Sequence, residues 1–324
     1  MKKKLLLLTL FFVFGFCGYS QDVSFSQITN NKLYLNPAFA GSGRQPELTM
    51  SYRNHWPSLG STFVTSVVTY EEYFPSINSG FGLMLMNDRS AGGIYSLNTV
   101  NGFYSNQQKI TPKLNIKMGM EFSYKQNFVD QDKLYYEDSF NGTTFTSMTM
   151  EPFINGEKST YFDLGAGILF FSDKSFVGLN VSHITEPNQS LIFGDSYLPR
   201  KYNLHMSRDF IIKESRNKIH RIYYTPSVML TRQGEFTELT VNNNIRNGKL
   251  LFGGGFRLVE GYDYRDAAIL NLGVDTNNLL FFYSYDITIS SLGPNTGGSH
   301  EVSVVIRIKE RQKKEQFSTI PCAF

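Results

Sequence analysis

Three observations in this 324-residue sequence predict an all-β fold, a transmembrane antiparallel β-barrel of about 14 strands. Apolar residues recur at every second position, the alternating runs are longer than soluble strands, and the chain opens with an export signal. Residues 279–309 carry the alternation most plainly. Leu279, Phe281, Tyr283, Tyr285, Ile287 and Ile289 share one parity, and Ser284, Asp286 and Thr288 share the other. After a Gly/Pro/Asn loop, Val302, Val304, Ile306 and Ile308 oppose Glu301, Ser303, Arg307 and Lys309. Such a two-residue period gives each strand one apolar and one polar face.

Residues 1–20 read as a signal peptide. Lys2, Lys3 and Lys4 precede an apolar run from Leu5 to Phe16, and Gly18 and Ser20 suit cleavage between Ser20 and Gln21. Cys17 follows Phe16, where a lipidation site would want a small residue. Removing the three lysines leaves 28 basic against 28 acidic residues, which argues against a polyanion as partner. Only Cys322 then remains, so no internal disulfide can form. No later apolar run is long enough for a spanning helix. The 15% aromatic content favours strands.

The strands are expected near 47–55, 61–71, 79–88, 93–106, 114–126, 160–172, 175–184, 202–212, 219–232, 236–247, 250–259, 264–275, 279–289 and 300–309. Together they make a barrel domain over 47–309. In LNIKMGMEFSYK, Leu114, Ile116, Met118 and Phe122 oppose Lys117, Gly119, Glu121 and Lys125. In YFDLGAGILFF, Phe162 and Leu164 oppose Asp163, Gly165 and Gly167. In FGGGF (Phe252 to Phe256) the glycines are expected to make room in the lumen or bend the wall, because no Lys and no helix follow to bind phosphate.

Strand length separates a sandwich from a barrel. Soluble strands average about 5 to 6 residues, whereas ten residues tilted near 45° span roughly 24 Å, the apolar height of an outer-membrane barrel. The polar parity then lines the lumen, with Lys117, Glu121, Asp163, Arg257, Asp286, Glu301 and Arg307 as an expected mixed-charge network. The two longest connections, 127–159 and 185–201, follow odd strands, and the tightest turns follow even ones. Inner connections near 72–78 and 213–218 are longer than that rule prefers. Lipid-facing charge at Phe281 or Ile306 is expected to lower membrane levels, and Asp286→Asn to be milder, at the cost of a lumen salt bridge if one is present.

Residues 21–46 contain YLNPAFAGSG and form either a lead-in against the inner rim or a small plug in the lumen. Residues 310–324 read as a periplasmic tail. In SYRNHWPSLG, Tyr52, Arg53 and Trp56 sit at the outer end of the first strand, either in an aromatic belt at the lipid headgroups or as a partner anchor.

Nothing in the sequence calls for catalysis. The five histidines sit in no triad or zinc motif, and Ser299 and His300 point to opposite faces. No cofactor or metal is implied; Asp130, Asp132, Glu137 and Asp138 lack the spacing of a calcium loop.

Several stretches resemble the PorP/SprF family of outer-membrane proteins of the type IX secretion system and gliding motility machinery. They are FSQ (Phe25 to Gln27), YLNPAFAG (Tyr34 to Gly41), YRNHWP (Tyr52 to Pro57), DLGAGILFF (Asp163 to Phe171), FVGLNVSHI (Phe176 to Ile184), SYDITISSL (Ser284 to Leu292) and GSHEVSV (Gly298 to Val304). The resemblance implies a non-enzymatic outer-membrane barrel assisting secretion and surface attachment of a large substrate with a C-terminal sorting domain, such as an adhesin. Periplasmic or outer-membrane secretion-machinery components are the further partners it implies, and no nucleic acid. The alternative is a channel for a small, possibly hydrophobic, solute.

Overall fold

The computed structural model describes residues 22–43, 45–60, 62–134, 140–141, 144–145, 158–191, 194–214, 221–260, 265–276 and 278–308. Fourteen strand segments follow one another around a closed antiparallel barrel. They are β1 (Glu47–His55), β2 (Phe63–Phe74), β3 (Ser79–Ser90), β4 (Tyr95–Thr111), β5 (Leu114–Val129), β6 (Lys158–Phe171) and β7 (Ser175–Ser182). There follow β8 (Lys201–Arg208, resumed as Phe210–Glu214), β9 (Arg221–Gln233), β10 (Phe236–Asn247), β11 (Leu250–Val259), β12 (Arg265–Asp275), β13 (Leu279–Thr288) and β14 (Ser299–Arg307). Each strand pairs with its neighbour in sequence, and β1 meets β14 with Glu47 opposite Arg307, which removes every open edge.

Inside and outside are inverted relative to a water-soluble protein. Outward residues such as Phe162 (76% exposed) and Leu272 (60%) are large and apolar, while Lys117 (0%), Arg257 (2%) and Glu301 (0%) are buried. Sealing charge within and exposing phenylalanine is unfavourable in water and favourable in lipid. Among the described residues no helix is long and apolar enough to cross a membrane; the strands do the crossing.

Several element ends differ from the sequence reading. Strand β2 runs on to Phe74, so the inner connection is 75–78 rather than 72–78. Strand β4 continues to Thr111 because Gln107 and Lys109 still pair with Lys117 and Asn115, although their side chains no longer alternate in polarity. Strand β8 breaks at Asp209, where the ladder with β9 lapses beside Pro226 between the pairs Ser207–Ser227 and Phe210–Tyr224. Proline brings no N–H to a ladder and is tolerated where pairing lapses; there the Thr225 hydroxyl donates to Asp209 Oδ1 at 2.7 Å. The expected inner connection 213–218 falls mostly outside the described residues.

Residues 22–43 lie within the barrel. A short helix (Lys32–Leu35) and a 3-10 turn (Pro37–Phe39) are joined at Asn36, whose side-chain oxygen accepts from the Ala38 N–H at 2.8 Å. One apolar cluster joins Leu35, Ala38 and Phe39 to Leu169, Phe171, Phe176 and Met229 on β6, β7 and β9. A second joins Phe25, Leu33 and Ala40 to Val67, Met84, Met86 and Phe103 on β2, β3 and β4. Burying each large side chain contributes about 1.5–3 kcal/mol. Contact with the wall is close enough to require glycine at Gly80 and Gly119, where an added Cβ would overlap the backbone of Ala40 and of Pro37 and Ala38.

Candidate functional site

Inward side chains meet the plug in distinct clusters rather than in one network. In the outer half of the lumen, Arg53 Nη2 lies 2.9 Å from Asp286 Oδ2, and its Nη1 lies 3.0 Å from Glu301 Oε2. Arg257 bridges Asp286 and Asp266. Ser26 of the plug completes this group: its N–H donates to Glu301 Oε2 at 2.8 Å and its hydroxyl to Asp286 Oδ2 at 2.6 Å. Near the end that carries the barrel's termini, Lys32 bridges Glu47 (2.7 Å) and Glu71 (2.8 Å), while Arg307 pairs with Asp275. Lys117 donates to the carbonyls of Ala40 and Gly41 at 2.6 and 3.0 Å. Glu121 accepts from Asn101 and from the Ser123 hydroxyl.

At the opposite end, Asp22 lies 2.8 Å from His183 Nε2 and 3.3 Å from Lys201 Nζ. The other ring nitrogen of His183 contacts Asp163, which also lies 3.3 Å from Lys125. Burial alone would raise the Asp22 carboxyl, but the charges of His183 and Lys201 overcome it and hold the group well below its ordinary range. Burial likewise opposes charge on His183, yet Asp22 and Asp163 keep its pKa above the ordinary value.

All seven residues expected in the lumen face inward, but they are divided among these clusters and fastened largely through the plug. Arg53 corrects the sequence reading. It shares the parity of Glu47, Thr49 and Ser51, is 3% exposed, and faces the lumen instead of lipid or a partner. Tyr52 stays on the outer face at 47% exposure. Trp56 leaves the strand at φ 54°, its N–H donating to Gly298 O at 2.8 Å, and turns its indole over the barrel mouth. There it stacks on His55 at 4.0 Å. Asp286 touches two arginines and the plug, so a larger cost is expected for Asp286→Asn than its lumen parity alone suggested.

Above the plug lies a cavity of about 520 Å³, lined in part by Asp22, Arg53, Trp56, Asp88, Phe236 and Glu238. Sequence reasoning missed Asp22, Asp88, His183, Lys201 and Glu238 as participants. The inward parity of Asp88 and Glu238 was readable; their meeting with Asp22 was not. Among the described residues, no His/Cys/Asp/Glu group is arranged to hold a metal ion. The loop acids Glu137 and Asp138 lie outside the described residues.

A closed barrel with lipid-facing aromatics, a charged lumen and a plug made from its own N-terminal segment defines an outer-membrane barrel protein. The family model for the type IX secretion system membrane protein PorP/SprF matches residues 18–306, and the chain belongs to that family. Membership implies interaction with components of the secretion machinery. A search of curated proteins finds no match. Among solved structures, the Ralstonia pickettii toluene transporter TbuX is similar at 10% identity, with a TM-score of 0.50 over 89% of this chain and 96% of TbuX. The CymD monoaromatic hydrocarbon channel is similar at 9% identity, with a TM-score of 0.50 over 91% of this chain and 96% of CymD. At such identities the likeness is one of fold.

Proposed function

We propose that this barrel is a non-enzymatic accessory of type IX secretion, assisting export and surface attachment of a large substrate that bears a C-terminal sorting domain, such as an adhesin. Family membership is the observation that carries the reading. The plugged lumen agrees with it, since plug side chains bond to strands from β1 to β14 and leave the outer loops as the accessible contact surface. The two longest, expected at 127–159 and 185–201 and bounded by strands at 130–157 and 183–200, are the proposed contacts; the first lies mostly outside the described residues. Removal of residues 1–20 as a signal and a periplasmic tail over 310–324 belong to this proposal, as does a role in gliding motility.

The barrel, tagged at its C-terminus and drawn gently from solubilised outer membranes, is expected to bring down a large secreted protein. Its absence among the captured proteins counts against the proposal. The likeness to hydrocarbon channels, together with the outward cavity, supports a second reading as a conduit for a small solute. Uptake of a small solute by vesicles containing only this barrel distinguishes that reading from the first.

A further inference from the structure

On the lipid-facing wall, β8 carries a cation amid apolar side chains. Tyr202, Leu204, Met206 and Arg208 share the outward parity and are all exposed. Val177 of β7 lies opposite Met206, and Phe210 carries the apolar face onward. The Arg208 guanidinium lies 5.1 Å over the Phe210 ring, which is 6.2 Å from the ring of Tyr224. A ring face attracts a cation but supplies no counter-charge. The strand breaks just beyond, where the Asp209 N–H donates to the Lys174 carbonyl at 2.7 Å. That bond seats the β6–β7 turn beside Arg208, which pairs with Ser175 in the ladder. Phe210–Glu214 then reaches past the turn and pairs with β9 alone, so the wall forms a step with Arg208 at its corner. Lys174 and Lys213 are exposed on its two sides. Three acids are near. Asp209 accepts from the Thr225 hydroxyl and is acted on by Arg246, and Glu214 pairs with Arg221 at 2.6 Å. Asp173 precedes Lys174 in the turn and is exposed. Among the described residues, neither Arg208 nor Lys174 has an ion pair.

A cation on a lipid-facing surface is costly in hydrocarbon unless it reaches the headgroup layer or meets an anion. The anion that a bilayer supplies beside such a wall is the lipid phosphate. Arginine offers a planar fork of donors that matches phosphate oxygens, and lysine adds a mobile point charge. We propose that the step between the β6–β7 turn and Phe210–Glu214 binds the headgroup of an anionic phospholipid in the periplasmic leaflet. Arg208 and Lys174 hold its phosphate, and Phe210 and Tyr224 lie against its acyl chains. Continuity with the apolar wall argues for a lipid over a free phosphate ester. The proposal goes beyond the secretion reading and does not depend on it.

The full-length barrel in mild detergent is incubated with phosphatidylglycerol and phosphatidylcholine of the same acyl chains, and the lipids it retains are counted by native mass spectrometry. The unmodified barrel is expected to retain phosphatidylglycerol in preference to phosphatidylcholine. Arg208→Gln and Lys174→Gln lie outside the packed lumen, so each is expected to leave the heat-resistant barrel intact. Each is expected to weaken phosphatidylglycerol about five-fold, the equivalent of about 1 kcal/mol per cation. Lys249→Gln removes the same charge from the exposed β10–β11 turn on the same rim and is expected to change nothing. Glycerol phosphate, the headgroup without its chains, is expected not to displace the lipid at equal concentration. Four results overturn the proposal: equal retention of the two lipids, a preference that survives the double substitution, a loss as large in Lys249→Gln as in Arg208→Gln, or displacement by glycerol phosphate.

Discussion

The two ends of the plug are held by different physics. From Leu33 to Gly41 it is packed into apolar clusters and pressed backbone to backbone against Gly80 and Gly119. At Asp22 it is held by charge, through His183 and Lys201. Apolar packing itself responds little to pH and salt and has no room for an added side chain, with the Lys117 ammonium on the Ala40 and Gly41 carbonyls as the charged tie within this stretch. An ionic clasp depends on protonation and loosens locally without unfolding what lies below it. The comparison teaches that the plug is anchored at the end near the barrel's termini and fastened more reversibly beneath the outward cavity.

The largest effect is expected from Gly119→Val. The branched side chain would displace Pro37 and Ala38, forfeiting burial of Leu35 and Phe39 at about 1.5–3 kcal/mol each. Protease accessibility of the plug should rise sharply while lipid-facing strands remain protected. Asp286→Asn comes next. It weakens the grip on two buried arginines at once, though each keeps a second acid, so a loss of about 3 kcal/mol is expected in the denaturation midpoint of the folded barrel. Asp22→Asn should cost less, about 2 kcal/mol, the worth of a charge-assisted contact, and free only the outer end of the plug. A variant as disruptive as Gly119→Val would erase the distinction between the two ends.

The smallest effect is that of pH. The lowered Asp22 pKa contributes stability present above its unfolded value and lost as pH falls through its folded value. The raised His183 pKa contributes stability present below 6.5 and lost as pH rises through the folded value. The clasp is therefore strongest between these limits and loosens on the alkaline side as His183 becomes neutral. Proteolysis near Asp22, followed as pH rises past 6.5, should increase in the unmodified chain. His183→Gln should flatten the response.

Much of the barrel was legible because alternation is local. Each strand displays its two faces in a few residues, and the inward parity of Lys117, Asp163 and Asp286 follows directly. Arg53 was legible by the same rule, from Glu47, Thr49 and Ser51, had parity been preferred over its nearness to Trp56. Strand ends were harder, since β4 outlasts its polarity pattern once both faces leave the apolar layer. The docking of the plug had no periodic signal. Ser26 and Glu301 bond across 275 positions, and such a meeting exists only after the barrel closes. Trp56 was misplaced for a related reason: a left-handed bend redirects a side chain that strand geometry would have sent outward.

The filling of the lumen by residues 22–43 is the central claim, and ionic conductance in planar bilayers tests it most directly. The intact barrel is expected to show no steady conductance, and Gly119→Val to open one. Steady, ohmic current through the unmodified protein, unchanged by Gly119→Val, would contradict a plugged lumen.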